Sequence, residues 1–216
     1  MIGGRLLVVT AVEAERAAVR SGDDRVDVLA AGVGAAAAAA ATARALARAE
    51  AAGRPYGAVL SAGVAGGFPG RVEIGGLALG TGSVAADLGV QAPDGFLSLA
   101  ELGFGGHTPD TVDADPALLD ALRAALPDAV AGPVLTVNTV TGTAGGAAAL
   151  LARHPDAVAE AMEGFGVATA AFQAGVRFAE LRAISNLVGP RDRDAWRIAE
   201  ALKTLTLAFA VATRGR

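Results

Sequence analysis

The 216-residue sequence contains no cysteine and only two histidines, His107 and His154. The absence of cysteine excludes disulfides, thiolate metal sites and cysteine nucleophiles. With so few histidines, a histidine-rich metal site and a Ser-His-Asp triad are both poorly supported. We therefore expect no metal ion in this protein.

Charged residues are also scarce, at 19% of the chain, and the formal net charge is −4. An acidic balance argues against a nucleic-acid backbone or an anionic membrane surface as a partner. Hydrophobic residues make up 53% of the chain, which excludes intrinsic disorder. The N-terminus lacks a signal-peptide pattern, and small or charged residues interrupt every apolar run. We expect a cytoplasmic protein that binds neither nucleic acid nor a membrane.

Strand-like and helix-like segments alternate along the chain, which predicts an α/β fold. The sheet is expected to be mostly parallel or mixed and flanked by helices, in a single domain spanning residues 1–216. Strands are predicted at 5–10, 26–31, 57–62, 134–137, 157–162 and 178–185, with extended segments in 72–85. Helices are predicted at 13–19, 34–52, 116–125, 145–153, 163–174 and 194–212, the last containing Trp196.

Polar and glycine-rich segments follow the predicted strands. In such folds ligands bind beyond the carboxyl ends of the strands, so these segments should converge. They are TAVEAE at 10–15, AGVG at 31–34, SAGVAGG at 61–67, TVTG at 139–142, MEG at 162–164 and Ser185-Asn186. Together they bring carboxylates, one carboxamide and a glycine-rich loop to the same edge.

Each of these segments also has an interpretation without function. Glu13 and Glu15 suit a helix N-terminus, where carboxylates are favoured. The glycines of 63–67 and Asn186 suit turns. Residues 32–34 lack the third glycine and the downstream acid of a dinucleotide fingerprint, so we expect a tight turn and no cofactor.

Taken in order, the segments resemble the nucleoside phosphorylase and nucleosidase superfamily. The resemblance rests on TAVEAE, SAGVAGG, AMEG at 161–164 and RAISN at 182–186. It implies that Glu15 activates water, whereas Glu13 does not occupy that place in the motif. It also implies that Met162 and Glu163 bind the ribose and that Asn186 contacts the purine.

Within the superfamily, the futalosine hydrolase family is the most similar. TVNTVTGT at 136–143, MEGFG at 162–166 and Asn186 carry this resemblance. It implies hydrolysis of futalosine to hypoxanthine and dehypoxanthine futalosine in menaquinone biosynthesis. A methylthioadenosine/S-adenosylhomocysteine-type nucleosidase and a purine nucleoside phosphorylase are the alternatives.

Asn186 stands where the adenine-specific members of the superfamily carry an aspartate. Hypoxanthine offers two acceptors, N7 and the 6-oxygen, and a carboxamide NH₂ can donate to both. An adenine amino group would set donor against donor, which costs about 1–3 kcal/mol when buried. We therefore expect Asn186 to select a 6-oxopurine, with Ser185 holding the amide in orientation.

The remaining walls of the pocket are predicted from position in the sequence. They are expected to consist of Gly63, Val64, Ala65 and Gly66 on one side and Val140 and Thr141 on the other. Val140 occupies a place that is commonly aromatic in the superfamily, so stacking on the base should be weak.

Three functions are compatible with these residues: a hydrolase, a phosphorylase and a catalytically silent nucleoside-binding protein. Phosphate beside Glu13 and Glu15 would be repelled, although Arg16 and Arg20 lie on the next helix. Glu15 argues against a silent binder, because binding alone needs no base at the anomeric carbon. Hydrolysis is therefore favoured.

The resemblance also implies a homodimer or a larger homo-oligomer, in which a partner closes the 5′ end of the site. The irregular stretch 89–113, with Phe96, Phe104 and His107, is a candidate lid or partner contribution. A simple surface excursion is the alternative.

Overall fold

The computed structural model describes residues 4–104 and 109–213, which form ten strands and six helices. The strands are β1 (Arg5–Thr10), β2 (Val26–Ala30), β3 (Tyr56–Gly67), β4 (Leu77–Ala85), β5 (Gly89–Ala92), β6 (Gly95–Ser98), β7 (Thr111–Asp113), β8 (Val130–Thr136), β9 (Ala159–Ala161) and β10 (Arg177–Leu187). The helices are α1 (Glu13–Ala18), α2 (Ala35–Ala51), α3 (Pro116–Ala125), α4 (Ala144–Arg153), α5 (Gly164–Gln173) and α6 (Ile198–Ala212).

The main sheet has eight strands and mixed pairing, so the predicted α/β class is confirmed. Strand β3 pairs in parallel with β1 and β10, and antiparallel with β9. Strands β3, β10, β4, β8 and β9 form a closed ring, and β1 and β2 extend the sheet outward from β3. The sequence did not predict this closure, because it depends on pairings between strands far apart in the chain.

Helices cover both faces of the sheet, as strand β1 illustrates. Leu6 and Val8 pack in a cluster with residues of α3 and α6, whereas Leu7 and Val9 pack in a cluster with residues of α2 and α5. Side chains alternate between the faces of a strand, so an uninterrupted apolar run indicates a strand buried on both sides. This packing leaves the strand ends as the place for polar side chains.

Helix α3 has the predicted bounds because local signals define both of its ends. Pro116 occupies its first turn, and the side chain of Asp115 accepts a hydrogen bond from the backbone N–H of Leu118 at 2.9 Å. In the described part of the chain, no helix is long and apolar enough to span a membrane.

Strands β3 and β10 extend further toward the C-terminus than predicted, and helix α6 begins later than predicted. Strand β3 continues through 63–67, which we expected to be a loop, because Gly66 and Gly67 pair with both β9 and β10. Strand β10 likewise continues through Asn186 to Leu187. Helix α6 begins at Ile198, so Trp196 lies in the segment before the helix and not within it.

The described parts of the stretch 89–113, residues 89–104 and 109–113, are more regular than predicted. Strands β5 and β6 form an antiparallel hairpin, and β7 pairs with β4. The guanidinium of Arg153 lies 4.1 Å from the ring centre of Phe96, which holds the hairpin against the end of α4. Phe104 is 59% exposed, and His107 lies outside the described residues.

Candidate active site

A cavity of about 540 Å³ opens at the carboxyl ends of β1, β3 and β10. The sequence-predicted residues that line it are Glu15, Val64, Ala65, Gly66, Val140, Thr141, Met162, Glu163, Ser185 and Asn186. Its size is typical of a site for a small molecule. The fold therefore brings together segments that lie up to about 170 residues apart in the sequence.

The carboxylate of Glu15 is buried at the base of this cavity, with the residue 5% exposed. Its Oε2 accepts hydrogen bonds from the backbone N–H groups of Ala11 at 2.9 Å and Val12 at 3.2 Å. Its Oε1 accepts from the N–H of Val64 at 2.8 Å. A carboxylate has about four lone-pair sites, so one acceptor position is left for a further donor such as a water molecule.

Glu13 has a different environment, although it is only two residues away. Its side chain is 74% exposed and forms an ion pair of 3.0 Å with Arg16 on the surface of α1. It does not line the cavity among the described residues. The structure thus separates the two glutamates of TAVEAE into one buried and one solvated group.

Gly63 does not line the cavity, in contrast to the prediction. An added Cβ at this position would lie 2.6 Å from Glu15 Oε1 and 2.9 Å from Arg182 Nη1, which is too close for a real side chain. The bare backbone of Gly63 therefore allows the glutamate and the arginine to approach each other.

A fully buried arginine, Arg182, lies beneath the cavity. Its Nε donates to Glu180 Oε1 at 2.9 Å, and its Nη2 donates to Ser61 Oγ at 2.9 Å. Its Nη1 lies 3.8 Å from Glu163 Oε2. Burial alone would lower the pKa of Arg182, but the carboxylates of Glu180, Glu163 and Glu15 raise it above its ordinary value.

The sequence analysis did not recognise this buried ion pair, although a signal was present. Glu180 and Arg182 are charged residues two positions apart in the otherwise apolar run 178–184, so they must share one buried face. Full burial raises the pKa of Glu180, and the adjacent Arg182 opposes that shift. Burying such a pair is costly unless further hydrogen bonds satisfy it, and Glu180 Oε2 has no hydrogen-bond partner among the described residues.

Glu163 connects the start of α5 to the turn after β2. Its Oε1 accepts a hydrogen bond from the N–H of Gly34 at 3.0 Å, and the residue is 8% exposed. Gly34 has a φ of 93°, a left-handed conformation that favours glycine. The turn predicted at 32–34 thus holds this carboxylate beside Met162 in the cavity wall.

The carboxamide of Asn186 lies across the floor of the cavity from these carboxylates. Its Oδ1 accepts from Ser185 Oγ at 2.8 Å, and its Nδ2 donates to the carbonyl of Leu187 at 3.1 Å. One Nδ2 hydrogen is left for a ligand. An added Cβ at Gly66 would lie 3.2 Å from this Nδ2, so a glycine at this position allows the amide to pack closely against strand β3.

A third acid, Glu160, lines the cavity and was not among the predicted residues. Its Oε1 accepts from the backbone N–H of Thr141 at 2.8 Å, and its Oε2 accepts from Thr141 Oγ1 at 2.5 Å. Burial raises the pKa of Glu160, and the two hydrogen bonds from Thr141 oppose the shift. A charged residue inside a predicted buried strand was the available signal.

The walls of the cavity are mostly apolar at its mouth, where Val12, Val33 and Ile198 are 43–57% exposed. Arg191 is the basic residue of the lining in the part of the chain that the structure describes. Among residues 4–104 and 109–213, no group of three or more acids or histidines could hold a metal ion. Besides Arg191, Trp196 and the hydroxyls of Thr141 and Ser185, the polar side chains of the lining are carboxylates and a carboxamide.

The chain belongs to the phosphorylase superfamily, whose family model matches residues 5–214. It is 52% identical to a futalosine hydrolase from Streptomyces coelicolor, over 93% of this chain and 92% of that protein. It is 48% identical to a futalosine hydrolase from Acidothermus cellulolyticus, over 94% of this chain and 88% of that protein.

Solved structures of lower identity share the fold. An S-adenosylhomocysteine nucleosidase from Streptococcus pyogenes superimposes with a TM-score of 0.81 at 18% identity, covering 98% of this chain and 97% of that one. A futalosine hydrolase from Helicobacter pylori gives a TM-score of 0.80 at 16% identity and covers 97% of both chains. At these identities the likeness establishes the architecture alone.

Proposed function

We propose that this protein hydrolyses the N-glycosidic bond of futalosine, releasing hypoxanthine and dehypoxanthine futalosine, as a step of menaquinone biosynthesis. The observation that carries the proposal is one cavity that holds the Glu15 carboxylate and the Asn186 carboxamide. The two futalosine hydrolases to which the chain is about half identical support the choice of substrate.

In the proposed mechanism Glu163 binds the ribose hydroxyls and positions the sugar above Glu15. Glu15 takes a proton from a water molecule, whose oxygen attacks the anomeric carbon. The bond to the purine breaks through a transition state with oxocarbenium character, and its electron pair passes to the base. The remaining Nδ2 hydrogen of Asn186 donates to the base as this negative charge develops.

The proposed base specificity rests on the orientation of the Asn186 amide. Because Ser185 Oγ donates to Oδ1, the amide is oriented with its oxygen toward Ser185, and one Nδ2 hydrogen is left for a ligand. A donor in this place suits the N7 and 6-oxygen acceptors of hypoxanthine and opposes the amino group of adenine. Sites built around such polar pairs can discriminate strongly.

Water, and not phosphate, is the proposed acceptor of the glycosyl group. Arg16, the basic residue that follows Glu15, donates to Glu13 and to the carbonyl of Val28 on the outer surface. Arg191 lies on the Thr141 side of the cavity, where its backbone N–H donates to Gly142 at 3.2 Å. A phosphate at the anomeric carbon would therefore face the carboxylate of Glu15.

We propose further that the protein assembles as a homodimer or a larger homo-oligomer. The exposed apolar residues Val12, Val33 and Ile198 at the cavity mouth support this, because a partner would cover them. A contribution of the hairpin β5–β6 to the partner's site, and a cytoplasmic location, stay predictions from the sequence.

A substrate panel tests the proposed function. The purified protein is incubated with futalosine, inosine and methylthioadenosine, each with and without phosphate, and the products are separated by chromatography. We expect hypoxanthine release from futalosine that does not depend on phosphate, and no adenine release. Phosphate-dependent formation of a sugar phosphate would establish a phosphorylase, and preferred cleavage of methylthioadenosine would establish an adenine-specific nucleosidase.

A further inference from the structure

Asn186, Gly66 and Glu160 form a row across three neighbouring strands. Asn186 on β10 and Glu160 on β9 both pair with Gly66 on β3, one on each side. A β-bulge precedes Asn186, but its Nδ2 lies 3.2 Å from the position of an added Cβ on Gly66, so the amide lies on the side to which a side chain at Gly66 would point. Glu160 lies on the same side, because residues directly opposite each other on paired strands share a face of the sheet. The amide and the carboxylate therefore flank a residue without a side chain, about 10 Å apart at their Cα atoms from the spacing of strands.

Gly66 allows two side chains of the cavity lining, those of Val188 and Asn186, to approach its backbone closely. An added Cβ on Gly66 would lie 2.9 Å from Val188 Cγ2 and 3.2 Å from Asn186 Nδ2. All three residues of the row line the cavity. A planar ring bound in the cavity against the backbone of Gly66 would meet the amide on one edge and the carboxylate on another.

Glu160 is a buried acid without a cationic partner among residues 4–104 and 109–213. Thr141 supplies two donors, one to each oxygen, so each oxygen retains acceptor capacity. Burying a carboxylate is costly unless hydrogen bonds compensate for the lost water. The site is therefore suited to a ligand that brings a further N–H donor.

A 6-oxopurine carries such a donor next to the oxygen that Asn186 is proposed to bind. In the lactam form of hypoxanthine the ring N1 bears a hydrogen, whereas N1 of adenine is an acceptor. The remaining Nδ2 hydrogen of Asn186 is assigned to the 6-oxygen, and its Oδ1 already accepts from Ser185, so N1–H calls for another acceptor. Glu160 is the acceptor that the row places on the other side of the base.

We propose that Glu160 is a second specificity-determining residue, whose carboxylate accepts a hydrogen bond from the N1–H of the 6-oxopurine. This inference rests on the proposed function, because it assumes that the base lies over Gly66 with its 6-oxygen toward Asn186. Two independent groups then read the base. The amide selects the 6-oxygen, and the carboxylate selects the protonated N1.

Binding of free bases tests the inference without requiring catalysis. Dissociation constants for hypoxanthine, 1-methylhypoxanthine and adenine are measured by titration calorimetry on the wild type and on Glu160→Gln. The glutamine can keep both contacts with Thr141, since its oxygen accepts from the N–H and its NH₂ donates to the hydroxyl. Its remaining hydrogen would face N1–H, donor against donor.

The wild type is expected to bind hypoxanthine more tightly than 1-methylhypoxanthine or adenine. Glu160→Gln should weaken hypoxanthine on the order of 10- to 100-fold, as for the loss of a charged hydrogen bond, and leave 1-methylhypoxanthine nearly unchanged. Thr141→Val is the matched control, because it removes one contact of Glu160 but retains the carboxylate. It should alter the affinities for all three bases by a similar factor.

Two results would overturn the inference. If the wild type does not discriminate between hypoxanthine and 1-methylhypoxanthine, nothing in the site reads N1–H. If Glu160→Gln weakens all three bases equally, as Thr141→Val does, Glu160 only anchors the loop that carries Thr141. Either result leaves phosphate-independent cleavage of futalosine intact, whereas a wild type that binds no hypoxanthine would refute the proposed function as well.

Discussion

Replacing Glu15 by glutamine removes the proposed base and keeps the size of the side chain. The carboxylate accepts three backbone hydrogen bonds, two at Oε2 and one at Oε1. In a glutamine side chain only the amide oxygen accepts hydrogen bonds, whereas the NH₂ group donates them. Its oxygen can satisfy Ala11 and Val12, but its NH₂ must then face the N–H of Val64, donor against donor.

This mismatch gives the expected cost in stability. One buried donor left unsatisfied costs about 1–3 kcal/mol. For a chain of this size, each kcal/mol lowers the melting temperature by about 2–4 °C, so Glu15→Gln should melt about 2–12 °C below the wild type. The loss of the base should in addition lower kcat at least about 10²-fold while hypoxanthine still binds.

The assay combines hydrolysis of futalosine, thermal melting and binding of hypoxanthine on the same samples. Glu13→Gln is the control, because it makes the same chemical change on an exposed side chain of the same helix. It should change the melting temperature and kcat very little. Equal losses in kcat for the two variants, or near-normal hydrolysis by Glu15→Gln, would refute the assignment of Glu15 as the base.

Three further substitutions test the rest of the site. Glu163→Gln should reduce the preference for ribosides over 2′-deoxyribosides, which we expect to be about 1–3 kcal/mol in the wild type, as measured by kcat/KM on both substrates; an unchanged preference would mean that Glu163 does not bind the ribose. Asn186→Asp should lower kcat/KM for the 6-oxo substrate on the order of 10–100-fold and raise it for the 6-amino substrate, because a carboxylate accepts but does not donate; an unchanged ratio would remove Asn186 as the reader of the base. Arg182→Met should lower the free energy of unfolding by about 3–5 kcal/mol in chemical denaturation, because Glu180 is left buried without its cation; a loss below about 1 kcal/mol would show that the pair is neutral.

Local signals account for the parts of the fold that were predicted well. The alternation of apolar strands with alanine-rich helices defined the α/β class, and Pro116 with its capping Asp115 defined α3. The ends of β3 and β10 were predicted too early for a physical reason. Glycine, serine and asparagine are weak strand formers, but here pairing with β10 keeps 63–67 extended, with β9 added at Gly66 and Gly67, and pairing with β3 keeps Asn186 extended.

The motif residues were found because they follow strands, but their neighbours were not. The order of residues in the chain does not place Glu160 and Asn186 near each other. They lie on either side of Gly66 because both of their strands pair with it. Gly63 was expected in the cavity wall for a related reason. The position of Gly63 after an apolar run predicts that it lies near the carboxyl end of a strand. It does not predict which side of that strand faces Glu15 and Arg182, because this depends on the register of the sheet.

The buried cluster beneath the cavity connects stability with the proposed chemistry. Three carboxylates, Glu15, Glu163 and Glu180, surround the single guanidinium of Arg182. When all are ionised, the cluster carries an excess of negative charge directly below the proposed ribose site. Such a field favours the positive charge that develops on the sugar in the transition state, and the low dielectric of the interior strengthens it. Arg182 is then required to hold the carboxylates close together, because without a shared cation they would repel one another.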